Sequence, residues 1–332
     1  MSVLTEQDRQ DYVDLCVFLG SFKELVQGSG GNISVKSESE LMIKSSGRTL
    51  PQTTASSGYV ICDIKALYTC KENAEENVTR TVLENSGGDM GASPSMEVFF
   101  HLLPSKWVVH LHPVNLLIDL CQTDWKTPFE DLNPSALLVP YKIPGLELSN
   151  AIINMYNGQR VLLLQNHGII LCGDTIQEIL TQLDLFYTKT HYRFLDLFRF
   201  QKYVRSITQQ PTVLLSCQNI RFIHERFFMP ITPDIALFLK QYPLVQETSE
   251  PLEILFDKYR KLHNTLPSVI CTPHAIYILG KSYSQCKNIE EILDSYLTIL
   301  RKSNPNTIHF FTDVSLIKLQ TSEKEIHRMN TV

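Results

Sequence analysis

The stretch Trp107-Val-Val-His-Leu-His-Pro113 sets two histidines two residues apart inside an apolar run. A β-strand alternates its side chains, so His110 and His112 point to one face while Val109 and Leu111 point to the other. Two imidazoles on one face can converge on one point, and imidazole is a common ligand for zinc and its neighbours. A lone buried histidine is ordinarily a neutral, hydrogen-bonded core residue; a pair at strand spacing favours a shared cation. His167 sits in "LLLQNHGII" (162–170), at the end of a second apolar strand and directly before Gly168. It reads equally well as a turn histidine bonded to backbone and as a third ligand. Three imidazoles would leave coordination open on zinc, as a catalytic site requires. His101 falls four residues after Glu97 and so on the same face of a helix.

The elements that must position these residues follow from the pattern around them. An amphipathic helix is predicted over about residues 6–26, ended by "QGSGGNIS" (27–34), whose glycines suit an unusual backbone path. "ELMIKSSG" (40–47) reads as a strand closing in a polar turn, and 71–91 as a polar surface loop. "SPSMEVFFHLLP" (93–104) starts like a helix and Pro104 stops it, with Met96, Phe99, Phe100 and Leu103 as its apolar face. After the histidine strand come a helix through Leu116–Cys121, a strand at 136–141 and a helix after Gly145. "RVLLLQNHGIILCGD" (160–174) reads as two strands meeting around Asn166–Gly168, followed by a helical stretch over about 175–203. Helices interleave with strands that are near neighbours, which predicts an α/β sandwich with a largely antiparallel sheet.

"SITQQPT" (206–212) reads as a linker dividing the chain into a first domain, 1–205, and an accessory region, 206–332. The second part is expected as a small α+β extension: a helix near 252–263, a hairpin over 268–280, a helix over 289–302 and a polar tail. The 332 residues are 43% hydrophobic with a formal net charge of −5, and no basic tract stands out, so a nucleic-acid partner is not expected. No apolar run approaches the roughly 20 residues that cross a bilayer. The start, "MSVLTEQDRQ", lacks the basic region and apolar core of a secretory signal. Eight scattered cysteines without a CxxC pair read as reduced core thiols, and with that start they predict a cytoplasmic protein.

Five motifs, "GSGGNIS", "IKSSG", "PSMEVFFHLLPSKWVVHLHP", "VPYKIPG" and "RVLLLQNHG", occur here in one order over about residues 25–190. In that order the sequence resembles the class II aldolase/adducin superfamily, whose enzymes include fuculose-phosphate and rhamnulose-phosphate aldolases and ribulose-phosphate 4-epimerase. It looks most similar to the aldolase part of rhamnulose-phosphate aldolase/alcohol dehydrogenase proteins and their stand-alone relatives. The resemblance implies a three-layer αβα sandwich. It implies His110, His112 and His167 as ligands of Zn2+, with Mn2+ or Fe2+ as alternatives, and Glu97 as the acid/base. It implies that Ser29, Gly31, Asn32, Ser46, Gly47 and Ser95 bind a substrate phosphate. It also implies that Tyr141 reaches the active site of a neighbouring subunit as a proton donor, in a homotetramer. One position departs from the pattern: Met96 stands where a second serine precedes the glutamate, which removes a hydroxyl donor.

The chemistry such residues serve is cleavage of a carbon–carbon bond beside a ketone, which leaves an enediolate that a zinc ion can stabilise as a Lewis acid. A glutamate in an apolar pocket would have its pKa raised into a useful range for moving protons. Glycine-rich backbone amides suit a phosphate dianion. Lys36 and Lys44 could add charge there, although lysines are ordinarily solvent-exposed. The expected function is therefore a zinc-dependent aldolase acting on a phosphorylated ketose. Epimerisation, decarboxylation and dehydration are alternatives on the same metal site. A non-catalytic, adducin-like interaction protein is the remaining reading, and the retained histidine triad argues against it.

Overall fold

After helix α1 (Glu6–Gly20), strands β1 (Asn32–Lys36), β2 (Glu40–Lys44) and β3 (Tyr59–Asp63) lead into helix α2 (Ile64–Glu72). Strand β4 (Trp107–Leu111), helices α3 (Val114–Leu120) and α4 (Thr127–Leu132), strand β5 (Leu137–Val139) and helix α5 (Leu146–Met155) follow. Strands β6 (Val161–Leu164) and β7 (Gly168–Gly173) and helix α6 (Ile176–Asp184) complete the set. The strands form one sheet in the order β3-β2-β1-β4-β7-β6-β5. Every neighbouring pair is antiparallel except β5 with β6. The computed structural model that shows this describes residues 3–75, 77–84, 86–187, 193–217, 228–240, 242–304 and 307–311. It divides the chain into two units, Met1–Leu195 and Asp196–Val332.

Both faces of the sheet are covered by helices and turns, and outside the polar residues of β1 and His110 one of them is largely apolar. Leu41, Ile43, Val60 and Cys62 share one face by register and pack under Leu67 and Cys70 of α2 and under Val98, Phe99 and Leu102. On the same face Val108, Ile170, Cys172, Leu162 and Leu164 pack against Leu148 and Ile152 of α5. The opposite face takes α1, through an edge-on contact of Tyr12 with Tyr59, and α6, which packs on β4 and β7. The fold is thus a three-layer α/β sandwich with a largely antiparallel sheet, as the sequence implied.

Two local expectations are corrected, and one helix was not anticipated. Residues 64–72 form that helix, capped at Asp63, whose carboxylate accepts from the Ala66 N–H at 2.7 Å; it overlaps the expected 71–91 loop only by its last two residues. Residues 93–104 do not form a full helix: only Val98–Leu102 turn, as a 3-10 helix. Ser46 N–H donates to Ser93 O and Ser95 N–H to Lys44 O, so 93–95 pair alongside the end of β2 and cannot start a helix. Met96, expected on an apolar face, is exposed for the same reason. The stretch 175–203 is broken between α6 and helix α7 (Phe194–Thr208), and the Asp184 carboxylate accepts the Phe194 N–H at 2.6 Å at the start of α7. The expected linker begins inside α7, which runs on to Thr208.

In the second unit α7 is followed by strand β8 (Val213–Ser216), a π-helical turn at Ile235–Leu239, strand β9 (Leu244–Val245) and helix α8 (Leu252–His263). Strands β10 (Val269–Cys271) and β11 (Ile276–Gly280) form the expected hairpin, and helix α9 (Tyr283–Lys302) packs on β8 and β11. The four-stranded sheet has the order β8-β11-β10-β9. Among the described residues no helix is long and apolar enough to cross a membrane.

Candidate metal centre

Strand β4 carries His110, and His112 follows just beyond its end. His110 is fully buried, edge-on to Phe100, and its Nδ1 lies 3.0 Å from Ile169 O. That contact fixes the proton on Nδ1 and leaves a lone pair on Nε2, the tautomer a metal ligand needs. His112 follows the strand end, where its N–H donates to Leu25 O at 3.0 Å. Its ring lies against Gly30: a Cβ there would stand 2.8 Å from His112 Nδ1. Gly31 has φ +65°, and a Cβ on it would meet His110 O at 2.9 Å, so only glycine fits both conformation and space. His167 is carried by the β6–β7 turn, in which Asn166 takes φ +54°.

The three rings enclose one volume. His110 Nε2 and His112 Nε2 are 3.0 Å apart, and one ligand nitrogen from each of the three histidines lies within 4.8 Å of the others. Two ligand nitrogens on a tetrahedral zinc are about 3.3 Å apart. Burial pushes His110 down to about 4 and His112 to about 3, so both are neutral near pH 7, which is the state that ligates. Glu97 enters the same volume from the other side. Its Oε2 lies 3.5 Å from His110 Nε2, and its Oε1 lies 3.2 Å from His167 Nε2 without hydrogen-bond alignment. Glu97 Oε1 and His167 Nδ1 are buried with no hydrogen-bond partner among the described residues. Three imidazole nitrogens and an orphaned carboxylate oxygen around one space fit a divalent cation.

Glu97 corrects the expectation of a raised pKa. Burial does push it up, but His110, His167 and the Asn32 amide outweigh that and hold the carboxyl well below the usual range. Its surroundings are imidazoles and an amide rather than an apolar pocket. A relay of hydrogen bonds sets this up. Asn32 Nδ2 donates to Glu97 Oε2 at 2.8 Å, so Asn32 Oδ1 faces His101 Nε2, at 2.5 Å, and accepts from it. His101 Nδ1 then accepts from Ser34 Oγ at 2.6 Å. Burial, reinforced by the charge of Lys36, keeps His101 neutral, as that acceptor role requires.

The residues expected to hold a phosphate fall on three adjoining segments. Ser29 and Gly31 lie on the turn before β1, Ser46 and Gly47 on the turn after β2, and Ser95 beside Glu97, whose N–H faces Ser95 Oγ at 3.4 Å. Asn32 differs from the rest, since its side-chain amide is engaged by Glu97 and His101. Lys44, named from the sequence only as a possible added charge and ordinarily expected in solvent, ties two of these segments together. Lys44 is buried, not exposed, and its Nζ donates to Ser29 O at 2.5 Å and to Arg48 O at 2.9 Å. Its place at the inner end of an apolar strand was the available signal. Lys36 is also largely buried, donating to His101 O and Leu103 O at the end of the 98–102 turn. Tyr141 stands apart: it is 53% exposed, its N–H donates to Gln165 Oε1, and its hydroxyl has no partner among the described residues.

A family model, "Class II Aldolase and Adducin N-terminal domain", matches residues 10–188. No curated protein matches the chain. Solved structures similar to it include the N-terminal class II aldolase domain of a conserved protein from Thermoplasma acidophilum. That one is 23% identical with a TM-score of 0.49, over 57% of this chain and 94% of the other. YgbL from Klebsiella pneumoniae, described as a putative aldolase/epimerase/decarboxylase, is 23% identical with a TM-score of 0.43, over 56% and 88%. A sugar-phosphate aldolase from Thermotoga maritima is 16% identical with a TM-score of 0.41, over 61% and 98%.

Proposed function

Since the chain belongs to the class II aldolase and adducin N-terminal domain family, we propose that its first unit is a metal-dependent aldolase that cleaves or forms a phosphorylated ketose. The observation that carries this reading is Glu97, an ionised carboxylate with one oxygen held by Asn32 and the other left free among three imidazoles. His110, His112 and His167 would hold the ion, with zinc best suited to three imidazoles. Such an ion supplies Lewis-acid stabilisation of the negative charge left beside a ketone when the carbon–carbon bond breaks. Glu97 Oε1 faces the substrate and takes or returns the proton, while Asn32 fixes the carboxylate in place. Ser29, Gly31, Ser46, Gly47 and Ser95 seat the phosphate, with Lys44 holding the first two segments together.

The rim supports a shared site. Gly145 lies against the Met96 carbonyl, and Met96, Tyr141 and Ile143 all keep more than half of their surface exposed on these adjoining segments (66%, 53% and 63%). An apolar patch of this kind beside a site favours burial against a second copy. Tyr141 is the proton donor to the neighbouring chain's site in a closed ring of four chains. The eight free thiols, seven of them buried, suit the reducing cytoplasm.

Purified enzyme tested on a panel of phosphorylated ketoses should release an aldehyde and a smaller phosphorylated ketone, with no epimer as the main product. Glu97→Gln should keep its metal and lose turnover by about 10²–10⁴-fold. A near-native rate in that variant would assign the proton to another group.

A further inference from the structure

The second unit carries a solvent-open cavity of about 590 Å³, within the range that small-molecule sites occupy. Its lining is chemically lopsided. Lys240 and Lys281 both line it, and among the described residues no acidic residue does. Lys240 follows the Ile235–Leu239 turn, and its Nζ donates to Thr265 Oγ1 at 3.2 Å and Leu266 O at 2.9 Å, leaving a third donor. Neither lysine has a carboxylate partner among the described residues. Burial, and after it the charge of Lys281, pushes the Lys240 pKa down, so the two cations stand close enough to repel. Lys281 is exposed and Lys240 has no carboxylate partner among the described residues, so an anion entering between them would gain charge-assisted hydrogen bonds from both.

Two further features fix the shape of that anion. Gln285 Oε1 accepts the Lys281 N–H at 2.8 Å, which fixes the Lys281 backbone at the cavity wall just before α9, whose first turn is capped by Ser282. On another part of the wall, Tyr242 stacks on His263 with ring centroids 4.5 Å apart and planes 23° from parallel. His263 is backed in turn by Tyr259 at 4.5 Å, and the Tyr259 hydroxyl donates to Tyr242 O at 2.7 Å. Tyr242 nevertheless keeps 37% of its surface exposed, so the braced stack still presents a ring to a ligand.

We propose that this cavity is a nucleoside-phosphate site, with the phosphate between Lys240 and Lys281 at the start of α9 and the base on Tyr242. The two halves of the wall take the two halves of such a ligand: charge-assisted hydrogen bonds hold the phosphate, and stacking holds the base. Neither half alone, as inorganic phosphate or as a nucleoside, satisfies both.

Isothermal titration of the full chain with AMP, ADP, adenosine and inorganic phosphate tests this directly. One AMP or ADP should bind per chain with a Kd on the order of 10–100 μM, and adenosine and phosphate should each bind at least about tenfold more weakly. Lys281→Gln and Tyr242→Ala, both at exposed positions and checked by circular dichroism, should each weaken AMP by about tenfold or more. His112→Ala should leave AMP binding unchanged, which separates this cavity from the metal centre. No nucleotide binding at millimolar concentration would overturn the proposal, as would affinity unaltered in both Lys281→Gln and Tyr242→Ala. Equal affinity for phosphate and AMP would overturn the assignment of the base.

Discussion

Replacing His101 with leucine tests whether the relay behind Glu97 is what holds the site in shape. His101 is fully buried and does not belong to the histidine triad, so its loss removes no ligand. Leucine fills much of the ring's volume but leaves Asn32 Oδ1 and Ser34 Oγ without their partner inside the protein. Each orphaned buried group costs roughly 1–3 kcal/mol, which gives about 2–6 kcal/mol for the two. The Asn32 amide then loses the second bond that fixes it against the Glu97 carboxylate, so the carboxylate is held more loosely and turnover should fall by about 10–100-fold with metal content unchanged. Urea unfolding followed by circular dichroism reads the first number, and kcat per bound metal reads the second. His101→Gln, which can both donate and accept, should recover part of each loss. Stability within about 0.5 kcal/mol of the parent would refute the relay. So would a large loss of stability with kcat per metal intact.

Lys44→Met should free the turn before β1 from the turn after β2, raising KM for a phosphorylated substrate by about tenfold or more while metal content holds; an unchanged KM would remove Lys44 from the anion site. Lys36 supplies a pH test: burial lowers it from 10.5 to about 8, so between those values the unfolded chain binds the extra proton and stability should rise with pH. The difference in urea stability between the parent and Lys36→Met should therefore grow by up to about 3 kcal/mol from pH 7.5 to 10.5, and a flat difference would contradict a buried, charged Lys36. Tyr141→Phe chains and Glu97→Gln chains, each of low activity, should regain turnover when dissociated and reassembled together; no recovery would place Tyr141 outside the neighbour's site.

What could be read without the structure was whatever obeys a short period. The alternation in Trp107–Leu111 placed His110 on one face, and the apolar runs on either side of Asn166–Gly168 gave β6, the turn and β7. Strand β1 escaped because its Asn32, Ser34 and Lys36 are polar on the very face that is buried, satisfied by Glu97, His101 and the carbonyls of His101 and Leu103. Helix α2 escaped because it buries only Leu67 and Cys70. The helix expected from Ser93 failed for a tertiary reason, since a pairing with β2 claimed its first residues. The burial of Lys36 and Lys44 was not foreseen, since their acceptors are main-chain carbonyls 4 to 67 residues away that the strand pattern does not reveal. The direction of the Glu97 shift likewise depends on which groups face it across 65 residues of chain separation from Asn32.

Elemental analysis of the purified chain beside its His112→Ala variant tests the central claim most directly. His112 Nε2 lies 3.0 Å from His110 Nε2, so deleting it should halve or abolish occupancy while circular dichroism shows the sheet intact. The parent chain should hold about one divalent ion, zinc foremost, and the variant should lose most of it. Equal metal content in the two proteins, or none in the parent after growth and purification in zinc, would contradict a metal centre at His110, His112 and His167.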